Sequence, residues 1–181
     1  MPRPADVSCR VLAGLPPYGP PAEPFPSTGQ GAHQEGLVVE FSPAGGAVWV
    51  GNFQRGATGL DRVLPSTKDG TVLVVAGGAG YVVDPLQRAC VRELGGGIEQ
   101  VVELPDRLVF SNGLWLEATD GERLLWRTRR LSWDGMRSLC VEGDRVVGEA
   151  YDPMSDDWAR FSVELASGEA SGGTYPVDLL G

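Results

Sequence analysis

From residue 36 almost to the C-terminus, short valine-rich runs alternate with turns built on Gly, Asp or Asn. GLVVEF (36–41) and AVWVGNF (47–53) flank SPAGG; TVLVVAG (71–77) and YVVDP (81–85) flank GAG; ACVREL (89–94) and IEQVVEL (98–104) flank GGG. RLVFSN (107–112) meets LWLEA (114–118) at Asn112-Gly113, a strong hairpin signal. LLWRTRR (124–130) follows TDGE, MRSLCVEG (136–143) and RVVGEAYD (145–152) divide at Gly143-Asp144, and WARFSVEL (158–165) and EASGGTYP (169–176) divide at Ser167-Gly168. Runs of this length between such turns predict antiparallel sheet, and no segment keeps a helical period over three turns. The fold class is therefore all-β.

Three segments share one order of elements: apolar strand, Gly-containing break, aromatic-led strand, polar turn, third strand. They start at 71, 107 and 145, which are 36 and 38 residues apart, and a shorter copy starts at 36. Periods near 40 with about four short strands fit a small propeller-like array, with a meander or barrel of duplicated hairpins as the alternative. Ahead of the repeats, residues 14–36 are crowded with Pro and Gly, which excludes helix and central strand. Tyr18 and Phe25 in that stretch predict an ordered arm lying on the folded surface. The expected organisation is one all-β domain over 1–181, with a Pro/Gly-rich arm at 1–35 and repeated β units at 36–176.

Composition adds limits. The chain has 181 residues, 26 Gly, 14 Pro and a net charge of −9. A chain this acidic is poorly suited to nucleic acid, whose phosphates call for clustered cations, and better suited to a basic protein partner. Lys68 is the one lysine beside an arginine-rich remainder, a bias expected of a GC-rich bacterial genome. Cys9, Cys90 and Cys140 are an odd number, widely spaced, which argues against a disulfide framework, and Cys90 and Cys140, in the apolar runs RACVREL and SLCVEG, read as buried thiols. No apolar stretch approaches the roughly 18 residues of a membrane span, and the N-terminus lacks a signal-peptide core. A cytoplasmic protein is expected.

Three arginines and two tryptophans crowd LLWRTRRLSWDG (124–135). Read as a strand, it places Leu125, Arg127, Arg129, Leu131 and Trp133 on one face and Leu124, Trp126, Thr128, Arg130 and Ser132 on the other. A bulge near Arg129–Arg130 would reunite the apolar positions. One reading is an outer strand with Arg–acid pairs to Glu117 or Glu122 and Arg stacked on Trp126 or Trp133. The other is a Trp/Arg contact surface. Tyr18, Trp126, Arg127, Arg129, Trp133 and Trp158 are the candidate partner-binding residues.

Candidate chemistry is sparse. His33 is the one histidine, which rules out a multi-histidine metal site within one chain. Asp152, Asp156 and Asp157 in DPMSDDWAR lack the alternating calcium-loop pattern and read better as turn caps. AGGAGYVVD (76–84) lacks the GxGxxG pattern and leads into a strand, so it is no phosphate loop. Asp134, Asp152, Asp156 and Asp157 form the alternative acidic site, on which a hydrolase, carbohydrate-binding or small-ligand reading would rest, Glu117 being a further acid that folding could bring near. No cofactor or metal is expected. A homodimer through an uncovered strand edge is compatible with the pattern.

GLPPYGPPAEPFPSTGQGAHQEGLVVEF, VVAGGAGYVVDP, WRTRRLSWDG and DPMSDDWARFSVELASG together resemble a family of small bacterial proteins with no assigned activity. The resemblance spans nearly the whole chain. It implies a bacterial, cytoplasmic, single-domain protein and carries over no catalytic residue. The function expected is a non-enzymatic interaction module, of immunity or adaptor type, that binds a basic partner.

Overall fold

The computed structural model describes residues 7–27, 34–65, 70–121 and 123–176. His33 and Glu122 lie outside them. The described residues contain no helix and sixteen strands: β1 (Val7–Leu12), β2 (Glu23–Phe25), β3 (Leu37–Pro43), β4 (Trp49–Phe53), β5 (Arg62–Pro65), β6 (Val72–Ala76), β7 (Ala79–Asp84), β8 (Ala89–Glu93), β9 (Gln100–Leu104), β10 (Arg107–Ser111), β11 (Leu116–Thr119), β12 (Leu124–Arg127), β13 (Met136–Glu142), β14 (Arg145–Asp152), β15 (Asp157–Glu164) and β16 (Ala170–Gly172). They form four four-stranded sheets, ordered β1-β3-β4-β2, β5-β6-β7-β8, β9-β10-β11-β12 and β13-β14-β15-β16. Every pairing is antiparallel except β2 with β4, which run parallel. The chain divides into two compact units, residues 1–98 and 99–181.

In the first unit, the sheets β1-β3-β4-β2 and β5-β6-β7-β8 share a core of Phe25, Phe41, Trp49, Phe53, Val72, Val74, Tyr81 and their neighbours. Phe53 is fully buried, stacks on Phe25 at 4.8 Å and meets Phe41 at 6.1 Å and Tyr81 at 5.4 Å. Polar tips on these rings find carbonyls: Trp49 Nε1 donates to Pro85 O, and the Tyr81 hydroxyl to Gln54 O. Buried Asn52 accepts from Gly36 N–H and donates to Gln34 O, which fixes where β3 begins. The Pro/Gly-rich segment 14–36, expected as an arm, supplies β2, whose Phe25 enters this core. β6 and β7 meet at Gly77-Gly78, both at positive φ, the geometry of a two-residue hairpin turn. The Gly-rich stretch is thus a turn into a strand.

The second unit has its own core of Val109, Leu116, Ala118, Trp126, Leu131, Met136, Val146, Ala150, Phe161 and Val163. At Asn112-Gly113 the connection is longer than a two-residue hairpin. Asn112 Oδ1 accepts the N–H groups of Leu114 and Trp115, so the chain turns twice before Leu116 pairs with Ser111. Two loops elsewhere share one design. Asp84 caps the N–H groups of Leu86 and Gln87, and Asp152 caps that of Met154; Arg88 and Asp156 then sit at the same offset, each with φ 53°. Both begin Asp-Pro, where proline presets the turn and a short acid accepts the freed donors.

Among the described residues, no helix is long and apolar enough to cross a membrane. Burial pushes the pKa of the Cys9 thiol up to about 11 and also raises that of half-buried Cys90, whereas Cys140, expected to be buried, is exposed on β13, a strand paired on one side among the described residues.

Candidate functional site

The strand within LLWRTRRLSWDG is only four residues, Leu124–Arg127. Beyond it the chain leaves the ladder. Thr128 N–H still donates to Leu116 O, and the N–H groups of Leu131 and Ser132 both turn to Leu114 O. The register shift falls across Ala118/Thr119 and not at Arg129–Arg130. Leaving the ladder has the effect expected of the bulge: Trp126 and Leu131 both reach the core.

Trp126 is therefore no surface contact. It is 8% exposed, and its Nε1 donates to Leu165 O, which also accepts from Arg107. Arg127 does form the outer-strand pair expected of it. Its guanidinium meets Glu117 at 2.5 Å and lies 5.3 Å from the Trp115 ring, whose Nε1 donates to the same carboxylate. Arg129 is a clamp. It donates to the carbonyls of Arg130, Gly172 and Tyr175, holding residues 172–175 beside 129–131. Arg130, facing Trp133 at 5.8 Å and Tyr175 at 4.5 Å, donates to the carbonyls of Ser132 and Trp133. Tyr18 lies in the other unit and is 90% exposed.

What remains at the surface is an aromatic group. Trp133 and Tyr175 pack at 4.6 Å. Tyr151 on β14 stands opposite Trp158 on β15, with ring centres 5.1 Å apart, and Arg137 covers Trp158 at 4.1 Å. The two ring pairs are joined through one carbonyl: Tyr151 O accepts the hydroxyls of Ser132 and Thr174. Strand alternation places Glu149 and Tyr151 on one face, half-buried, while Gly148 and Ala150 on the other are buried; Val147, further back on the first face, is buried.

Carboxylates gather at the same place. The Tyr151 hydroxyl donates to Asp156 at 2.7 Å, and this bond, with the nearby charges of Asp156, Asp134 and Asp152, raises its pKa. Asp157, the fourth predicted acid, is exposed at the start of β15. Glu117, Glu142, Glu149 and Glu164 each hold an arginine, whereas Asp134, Asp152 and Asp156 hold none among the described residues. Glu99 joins this group, and nothing in its strand-like setting, IEQVVEL, marks it out. Burial and then the charge of Asp134 raise its pKa above the ordinary 4.5. Among the described residues no group of three or more His, Cys, Asp or Glu is placed to hold a metal ion.

The Glu99 shift has a testable sign. A carboxyl raised on folding binds its proton more tightly in the native state. Between 4.5 and its raised native value, stability therefore falls as pH increases. Glu99→Gln is expected to flatten that slope in urea titrations. Asp134→Asn is expected to move the Glu99 carboxyl titration downward by carbon NMR; an unmoved titration would leave burial as the sole cause.

A scan against models of known protein families finds no family that matches the chain, and a search of curated proteins finds no match either.

Proposed function

We propose that the protein is a non-enzymatic interaction module that binds a basic protein partner through the face bearing Trp133, Tyr151, Trp158 and Tyr175. The observation that carries this reading is the contrast in charge pairing. Glu117, Glu142 and Glu149 on the surrounding strands are paired with arginine, while Asp134, Asp152 and Asp156 around Tyr151 hold no cation among the described residues. Half-buried rings beside unneutralised acids suit an arginine or lysine side chain, which gains both ring and carboxylate contacts. Arg137 over Trp158 already shows such a ring accepting a guanidinium. An immunity-type or adaptor role in the bacterial cytoplasm fits this chemistry. The fold reading proposed with it is a small propeller-like repeat. It is supported by the three sheets whose strands run in chain order and by the shared loops at Asp84 and Asp152. Uncovered edge strands would also allow a homodimer.

The test is calorimetric titration with a short arginine–glycine peptide. Asp134→Asn/Asp152→Asn/Asp156→Asn removes three rim charges worth roughly 0.5 kcal/mol each, so about a tenfold loss of affinity is expected, with a weaker salt dependence. Equal affinity for the triple variant would refute the reading.

One observation favours a second reading, an acid-dependent hydrolase. Burial and the neighbouring Asp134 raise the pKa of the Glu99 carboxyl above its ordinary 4.5, the direction an acid in an acid–base pair needs. Hydrolysis of glycoside or ester substrates by the protein, abolished in Glu99→Gln, would move the assignment there.

A further inference from the structure

The first unit contains a groove of opposite character. A cavity of about 450 Å³ runs between Phe25–Ser27, at the end of β2, and Arg88–Glu93, along β8. A second, of about 290 Å³, adjoins it through Pro26 and Glu93 and reaches Gly80, Tyr81 and Gly95. Both sizes suit a bound segment. Among the described residues β2 and β8 are each the last strand of their sheet, with a neighbouring strand on one side. The groove therefore lies along two sheet edges, where backbone donors and acceptors can pair with added chain.

Its charge selects what enters. Arg88 is exposed, sits at positive φ, and makes no ion pair among the described residues. The Asp84 cap on Leu86 and Gln87 fixes the turn that presents it. Arg92 lines the same cavity. Cys90 between them donates its S–H to Arg92 O, and burial keeps the thiol protonated, so it adds no negative charge. Val91 is 56% exposed beside the register shift at Val82/Val83 and offers an apolar contact. Glu93 supplies the one acid at the junction of the two cavities.

We propose that this groove binds an extended acidic segment of a partner protein as an added strand along β8, with a carboxylate at Arg88. Glu93 sets the direction: the charged part lies at the Arg88 end, and an uncharged part lies toward Gly80 and Tyr81. The overall charge of −9 repels acidic chains generally, so the exposed Arg88 makes the groove selective. This site is separate from the face around Tyr151 and does not rest on that reading.

The probe is a fluorescent peptide of alternating glutamate and valine, with a lysine–valine peptide and a backbone N-methylated glutamate–valine peptide as controls. The full chain is expected to bind the first alone, with slowed amide exchange at Ala89–Glu93. Arg88→Glu, on an exposed turn, is expected to weaken binding at least about tenfold, and Arg88→Lys to restore most of it. Three results would overturn the proposal: equal binding of the N-methylated peptide, unchanged affinity in Arg88→Glu, or protection confined to residues 99–181. Concentration-dependent protection of β8 without peptide would name a second copy of the chain as the occupant and also overturn it.

Discussion

Trp126→Ala is expected to destabilise the unit of residues 99–181 by about 3–5 kcal/mol, the usual range for removing a buried aromatic. Two losses combine. The ring leaves a cavity in a core that includes Val109, Leu131 and Phe161, and Leu165 O loses its indole donor. Gly168 shows how closely the ring is held: a Cβ added there would lie 2.7 Å from it. Arg107 also donates to Leu165 O, so the carbonyl is not orphaned and the cavity dominates. Trp126→Phe should recover most of the stability. Arg127→Ala should cost less, about 1–2 kcal/mol: Arg127 is itself half exposed, but its partner Glu117 is buried and would keep only the Trp115 indole as donor. Urea unfolding followed by tryptophan emission measures all three. A small effect of Trp126→Ala, with Arg127→Ala the larger, would mean that the outer face of the stretch carries its energy.

Phe53→Ala is expected to cost the unit of residues 1–98 a similar amount, about 3–5 kcal/mol. Phe53 contacts Phe25, Phe41 and Tyr81, and aromatic pairs add roughly 0.5–1.5 kcal/mol each beyond burial. Phe25 is delivered by β2, three residues held to β4 by a parallel pairing. Loss of the stack should therefore loosen β2 first. Amide exchange in the variant is expected to rise at Glu23 and Phe25 before it rises in β3. Uniform exchange across the sheet would show that β2 does not depend on the ring.

Thirteen of the strands overlap runs that alternation and turn residues pick out directly, and β3, β7, β11 and β15 extend one or two residues past them. β1, β2 and β5 overlap none, for one physical reason. Each is an edge strand, paired on one side, so neither a long apolar run nor freedom from proline is required of it. EPF carries Pro24 and still pairs, because no ladder partner needs that missing donor on the open side. LLWRTRRLSWDG was legible as strand and turn, and its Arg127–Glu117 pair was anticipated. The separate fates of its arginines were not. Arg129 serves carbonyls at 172 and 175, more than forty positions away, and period-two reasoning contains no such information. Glu99 was hidden for the same reason: its neighbour Asp134 is close in space only. The acids at 134, 152 and 156 were singled out by sequence, but their common neighbour, Tyr151, emerged from strand register.

The most direct measurement of the proposed function is a nitrogen–proton NMR titration of the labelled full chain with the arginine–glycine peptide, read at the indole N–H signals. Saturable shifts at Trp133 and Trp158, with Trp49 and Trp126 unmoved and all shifts lost in the triple aspartate variant, are the predicted result. Signals of Trp133 and Trp158 that stay fixed throughout the titration would contradict it.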